Sequence, residues 1–232
     1  MDPIWITHPE SYAKVEAETR RELLFPKLLE IVNSKPPQTF LDYGCGDGSF
    51  VFLLDKQIEI ALFDISSKAL SIAHQRLHNR KYMTYTKESD IPSNYFDCIL
   101  FSLVLMTIDA QDKIKASFST LSRVKKRQGR VIVAVTHPCF RQYHFSTFHT
   151  EYANGRRFDY FDEGAKFRVF LRDRVSNESV SFNDYHWNLS STLNLLIEAG
   201  LNLTEVIELP DHLKKDEQYQ YNVAPYLVLV CQ

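Results

Sequence analysis

The chain has few cysteines, and none sit in the arrangements that make them structural. Cys45, Cys98, Cys139 and Cys231 are widely spaced with no CxxC pair. Neither a zinc site nor a disulfide scaffold is expected, and buried thiols in a reducing compartment are. The chain also lacks an apolar run approaching the roughly 20 residues that cross a bilayer. Met1-Asp2-Pro3 opens it without the basic and apolar regions of a signal peptide, so a cytoplasmic protein with no membrane partner is expected. Charge of one sign is missing too: 27 basic and 29 acidic residues leave a formal net charge of −2. That argues against a large polyanionic partner. There is no repeat and no low-complexity tract. What remains is 44% hydrophobic and 24% charged over 232 residues, enough for one α/β domain with a full core and some sequence to spare.

One stretch stands out: Leu41-Asp42-Tyr43-Gly44-Cys45-Gly46-Asp47-Gly48-Ser49. It follows the β-like run Thr39-Phe40-Leu41 and precedes the helix-like run Phe50 to Leu54. Glycines in such a turn permit positive φ and let a ligand approach the backbone. A following helix would offer unpaired N–H groups and positive potential. Twenty residues after Gly44 a second apolar run, Ile58 to Phe63, ends in Asp64, a carboxylate able to accept both hydroxyls of a ribose. The structural alternative is a tight strand–helix turn with a surface acid nearby. Dinucleotide sites carry G-x-G-x-x-G because a pyrophosphate must rest on the helix end. Here the spacing is G-x-G-x-G with Asp42 and Asp47 beside it. Two carboxylates disfavour a pyrophosphate and suit a ligand with an ammonium group, which makes NAD the weaker candidate.

Elsewhere the periodicity alternates. Ser11 to Val32 is expected to be one helix, stopped by Lys35-Pro36-Pro37. Ser66 or Ser67 caps a helix to about Leu77. Tyr82 to Thr86 and Phe96 to Leu105 are expected strands, and Asp112 to Lys126 an amphipathic helix with a basic end. Arg130 to Thr136 has the valine density of a buried parallel strand. Ser190 to Glu198 is a helix closed by Gly200, and Val206 to Leu209 and Tyr226 to Cys231 are final strands. Such alternation implies a doubly wound, mostly parallel sheet.

The run Leu-Asp-x-Gly-Cys-Gly-x-Gly at 41–48 resembles motif I of the class I S-adenosylmethionine-dependent methyltransferases, and the likeness extends over about residues 38–137 and 186–232. It implies a Rossmann-like, seven-stranded, mostly parallel sheet whose last strand is antiparallel, with S-adenosylmethionine as cofactor and S-adenosylhomocysteine as product. It implies cofactor contacts from Asp42, Gly44, Cys45, Gly46 and Gly48 in the loop, and from Asp64 and Ile65 after the second strand. Asp90 with Ile91 falls near the expected adenine position, and Phe101 with Ser102 near the methionine moiety. The organisation that follows is one domain: an N-terminal lid and helix (1–37), a cofactor-binding core (38–136), an inserted substrate cap (137–187) and a C-terminal core (188–232).

Substrate recognition is expected in the two segments extra to that core. The N-terminal one offers Trp5 and Tyr12 as lid residues. The insertion is aromatic and charged, and a long irregular insertion in a compact domain is more often functional than idle. Phe140, Arg141 and His144 are its candidate substrate contacts, and Lys166 to Val175 with Glu178 to Phe182 is expected to form a β-hairpin. Thr136-His137-Pro138-Cys139-Phe140 and Tyr185-His186-Trp187 resemble a subgroup of small-molecule methyltransferases, although Trp187 and Leu201 depart from its pattern. His137 and His186, with Tyr143 behind them, are the candidate bases or orienting groups. The alternative is that each histidine is a structural, hydrogen-bonded one.

The expected reaction is in-line methyl transfer to an oxygen or nitrogen of a small metabolite, with no metal. A general base helps where the acceptor is a hydroxyl or a protonated amine. An RNA or protein methyltransferase is the alternative, since the insertion mixes aromatics with basic residues. The near-neutral charge opposes it, and Arg123-Val124-Lys125-Lys126-Arg127 is explained by its place at a helix end. A non-catalytic cofactor-binding protein is the third reading. Fold alone does not fix a substrate.

Overall fold

β1, Thr39–Tyr43, is buried along its whole length, as a central parallel strand covered on both faces must be. It pairs in parallel with β2, Glu59–Phe63, on one side and β4, Phe96–Ser102, on the other. The computed structural model describes residues 7–15, 18–152, 157–173, 176–212 and 223–232, so Trp5 lies outside the described residues. β3, Tyr82–Tyr85, and β5, Lys125–Thr136, extend the sheet in parallel. Three antiparallel strands, β6 (Phe148–Tyr152), β7 (Lys166–Arg172) and β8 (Ser179–Tyr185), form a second, small sheet. β9, Leu203–Leu209, and β10, Tyr226–Cys231, complete the main sheet, with order β3-β2-β1-β4-β5-β10-β9 and β10 antiparallel to both neighbours. The expected seven-stranded sheet with its antiparallel last strand is therefore present. The expected hairpin is β7 and β8, with β6 as a third partner; Val175 lies outside the described residues.

The helices follow their local signals with two departures. One helix was expected from Ser11 to Val32. Instead a short α1, Pro9–Ala13, is separated from α2, Phe25–Ser34, by a π-helical turn, Thr19–Leu24. Pro26 in the first turn of α2 has no N–H to give to the carbonyl four residues back, and a wider turn at this point accommodates it. The Phe25 N–H correspondingly bonds Arg20 O. The second departure follows the glycine loop. Only a single 3₁₀ turn, Val51–Leu53, forms where a helix was expected. The Arg80 guanidinium holds the connection instead, donating to the carbonyls of Val51, Leu54, Asp55 and Ile58. The positive potential expected from a helix end after the loop is not built here, because a single 3₁₀ turn has no sustained dipole.

The other helices keep their expected places. In α3, Ser67–Arg76, the Ser66 hydroxyl caps the Ala69 N–H at 3.2 Å. α4, Gln111–Val124, ends where β5 begins. Its basic end is spent internally: Arg123 donates to Ile91 O and Glu88 O at 2.8 Å, and Lys126 pairs with Asp97 at 2.9 Å. α5, Leu189–Glu198, is capped by Asn188 and followed by Gly200 at φ +76°. Apolar side chains fill both faces of the main sheet. Leu28, Phe40, Ile60, Leu62 and Leu100 lie on one face, and Leu41, Ile99, Phe101, Phe118 and Leu229 on the other. Among the described residues no helix is long and apolar enough to cross a membrane.

Candidate active site

The C-terminal ends of β1, β2 and β4 open into a cavity of about 730 Å³, roofed by the three-stranded sheet and α1. This is the crevice in which open α/β sheets bind ligands, and its size falls within the roughly 300–1,000 Å³ of small-molecule sites. At the β1 end, Gly44 has φ +78°, donates to Phe63 O at 2.7 Å, and lies so close to Val104 that a Cβ would collide with it. Gly46 has φ +52°, and nothing lies within 4 Å of where its Cβ would be. The first glycine is demanded by packing; the second leaves open a face of the cavity wall that a ligand can occupy.

Three carboxylates surround this loop. Asp64 accepts the Gly46 N–H at 2.9 Å and the Ser66 N–H at 2.8 Å. A carboxylate offers about four lone-pair sites, so two remain for a ligand. Burial raises the Asp64 pKa, and the two backbone bonds oppose that rise. Asp42, 4% exposed, is pushed up to about 8 by burial first, then by Asp64 and Asp47. Burial and the two neighbouring carboxylates disfavour its charged form, which a cationic group placed beside it would favour. Asp47 is satisfied by Arg76 at 2.8 Å.

Cys45, Ile65 and Ser102 also line the cavity with Asp42, Gly44, Gly46 and Asp64. Ile65 is 67% exposed at its rim. Gly48, Phe101, Asp90 and Ile91 are not on the wall. Gly48 packs against Ala73 of α3. Phe101 faces the other side of the sheet against Tyr43 and Phe118, as period-2 alternation from Ser102 requires. Glu88–Asp90 form one 3₁₀ turn, which points residues two apart in different directions. Glu88 reaches the cavity, accepting the Tyr43 and Thr120 hydroxyls, while Asp90 is exposed and Ile91 is core. Glu88 and Tyr43 were not singled out from the sequence. Nor was Leu103, a wall residue held at φ +59° directly after β4; a non-glycine residue there is strained, and such strain clusters at functional sites.

The histidines are engaged elsewhere. The His137 ring accepts the Cys139 N–H and bonds Glu208 Oε1 of β9 at 2.7 Å. His186 is fully buried, its Nε2 bonded to Tyr160 O at 2.9 Å beneath the rings of Phe158 and Tyr160. Burial lowers both pKa values. Tyr143 packs edge-on against Phe140, and His144 stacks on His149. None of these, nor Arg141, is among the residues lining the cavity. Tyr12 is: it sits in the wall, edge-on to Phe182 of β8. Thr136, Phe148, Val169, Leu171, Phe182, Asp184 and Tyr226 complete that half of the cavity. Among the described residues no cluster of three or more His, Cys, Asp or Glu side chains could hold a metal ion.

A profile of the family described as "Methyltransferase domain" matches residues 34–160, more than half of the chain. The ubiquinone/menaquinone biosynthesis C-methyltransferase UbiE of Vibrio cholerae is 27% identical over 137 residues, 52% of this chain and 52% of its own length. The chain thus spans about half the length of that curated relative. Two solved structures share the fold: an S-adenosylmethionine-dependent methyltransferase from Clostridium acetobutylicum has a TM-score of 0.62 at 16% identity, over 95% of this chain and 93% of its own. The N-methyltransferase NodS from Bradyrhizobium japonicum, in complex with S-adenosylhomocysteine, has a TM-score of 0.62 at 14% identity, over 93% and 88%. Glycine loop, strand order and family match agree: the chain belongs to the methyltransferase-domain family, with the class I fold of the S-adenosylmethionine-dependent methyltransferases.

Proposed function

We propose that this protein transfers a methyl group from S-adenosylmethionine to a small, largely apolar metabolite held beneath the three-stranded sheet. One observation carries the reading: a single cavity joins the glycine loop and its carboxylates to an aromatic chamber built by the insertion. Oxygen or nitrogen is the proposed acceptor atom; the name of the Vibrio cholerae relative favours carbon as the alternative.

The loop side fits the cofactor. Gly46 leaves open space at the wall, Asp64 keeps free lone pairs for ribose hydroxyls, and Ile65 offers an exposed apolar surface for a flat base. A cationic group on the cofactor would favour the ionised form of Asp42, which burial and its two acidic neighbours disfavour. Glu88 takes the acidic role proposed for Asp90, on the ground that it reaches the cavity. The cofactor supplies an already electrophilic methyl carbon, so the chain's contribution is alignment and exclusion of water. Positioning of this kind is worth up to about 7–11 kcal/mol in the best intramolecular cases. Tyr12, packed on Phe182, closes the chamber from the N-terminal side.

Calorimetric titration with S-adenosylmethionine, S-adenosylhomocysteine and NAD tests the reading. Micromolar-range binding of the two sulfur ligands, at least about tenfold weaker in Asp64→Ala, is expected, with no response to NAD. A well-folded protein that binds neither sulfur ligand would falsify it.

A further inference from the structure

The small sheet presents a single acid, Asp184, on its inner face. Cross-strand pairing sets Tyr152, Phe167 and Asp184 in one row and Thr150, Val169 and Phe182 in the next. Val169, Phe182 and Asp184 line the cavity. Asp184 is 4% exposed, and its Oδ1 atom has no hydrogen-bond partner among the described residues. A buried carboxylate without a partner is costly, and methyl transfer as set out above gives this one no task.

Its charged neighbour is Arg141. That guanidinium lies 4.7 Å over the Phe167 ring and donates to the Thr136 hydroxyl at 2.5 Å, and its Nε atom also lacks a partner. Arg141 offsets the charge of Asp184 and opposes a cationic guest, while Asp184 opposes an anionic one. A neutral hydrogen-bond donor satisfies both. The surrounding wall includes the rings of Tyr12, Phe148, Phe182 and Tyr226, which favour a planar apolar body.

Resting on the methyl-transfer reading of the same cavity, we propose that Asp184 is the acceptor-recognition carboxylate, taking the hydrogen bond of a hydroxyl group on an aromatic acceptor. The charged or titratable groups facing it are Tyr12 from α1 and Arg141 from the connection after β5, and Arg141 is faced in turn by Tyr152 of β6. Burial pushes Asp184 up to about 7, against the pull of Arg141. The hydrogen bond therefore strengthens as pH rises through that value and the carboxylate ionises.

The probes are 2-naphthol and 2-methoxynaphthalene, which share a ring system but differ in the donor, titrated with and without S-adenosylhomocysteine. At pH 8, 2-naphthol is expected to bind at least about tenfold more tightly, and at pH 6 only about threefold. Asp184→Leu is expected to abolish the preference and leave S-adenosylhomocysteine affinity within about twofold. Asp184→Asn, which removes only the charge, is expected to lose the pH dependence, and it serves as the decisive variant if the leucine protein does not fold. Equal affinities for the two probes, no binding of either, or an unchanged pH dependence in Asp184→Asn would overturn the proposal. Failure of S-adenosylhomocysteine to bind sinks the methyl-transfer reading instead, whatever the naphthol result.

Discussion

At the scale of single residues, Asp42 links stability to ligand binding. Its folded-state pKa of about 8 lies above the ordinary carboxylate value of 3.8, so the folded protein holds a proton that the unfolded chain releases. Stability from this group is complete below about 4 and is lost as pH rises through about 8. Asp42→Asn is therefore expected to raise Tm by several degrees at pH 8.5 while weakening S-adenosylmethionine binding at least about tenfold. A lowered Tm at that pH would refute the assignment. A cationic ligand drives the proton off, so wild-type affinity for S-adenosylmethionine should increase between pH 6.5 and 8.5, with proton release visible in buffers of different ionisation enthalpy. Asp184 shows what a residue-level reading could have found. In Val180-Ser181-Phe182-Asn183-Asp184 the acid continues the apolar alternation of a strand, a local signal that it faces inward.

At the scale of elements, the connection between β1 and β2 departs most from expectation. Phe50 to Leu54 has the apolar character of a helix, yet only the 3₁₀ turn Val51–Leu53 forms. Arg80, from the turn that follows α3, gathers the carbonyls a longer helix would have satisfied itself. A guanidinium bonded to several carbonyls is worth about 2–3 kcal/mol. Arg80→Ala should lower the unfolding free energy by about that amount in urea titrations. It should also reduce S-adenosylhomocysteine affinity, because the glycine loop leads directly into this turn. Full retention of both would show that the turn holds itself. The π-helical turn before Pro26 has the same lesson: a missing N–H was visible in the sequence, but the widened turn that accommodates it was not.

At the scale of the whole molecule, the two buried histidines anchor the insertion, one to the main sheet and one to itself. His137 joins the end of β5 to β9 through Glu208, and His186 joins the end of β8 to the carbonyl of Tyr160. Both folded-state pKa values lie below the ordinary imidazole value of 6.5, because burial disfavours the charged ring. The folded protein thus binds fewer protons than the unfolded chain. The stability involved is present above about 6.5 and is lost as pH falls toward the depressed values. A falling Tm between pH 7 and 5 is expected, with a shallower fall in the His137→Gln, His186→Gln double variant; an unchanged slope would count against this. Were His137 the catalytic base that the sequence offers as a candidate, His137→Ala would cut turnover far more than cofactor affinity. Its place between β5 and β9 leads instead to a lower Tm with turnover near wild type at permissive temperature. A large turnover loss at unchanged Tm would return His137 to a catalytic role.

The sequence by itself determined the alternation of strands and helices, the glycine loop and the acid at Asp64, because each follows from contacts between residues close along the chain. Apolar periodicity, a serine cap and a glycine obliged to take positive φ are all local properties. Only the tertiary structure decided which side chains face the cavity. Glu88 rather than Asp90, and Asp184 rather than His137 or His186, reach it. That choice depends on how a 3₁₀ turn is phased and where the small sheet docks. It depends also on which partners, such as Glu208 and the Tyr160 carbonyl, come within reach from distant parts of the chain. Such long-range pairings leave no periodic trace in the sequence.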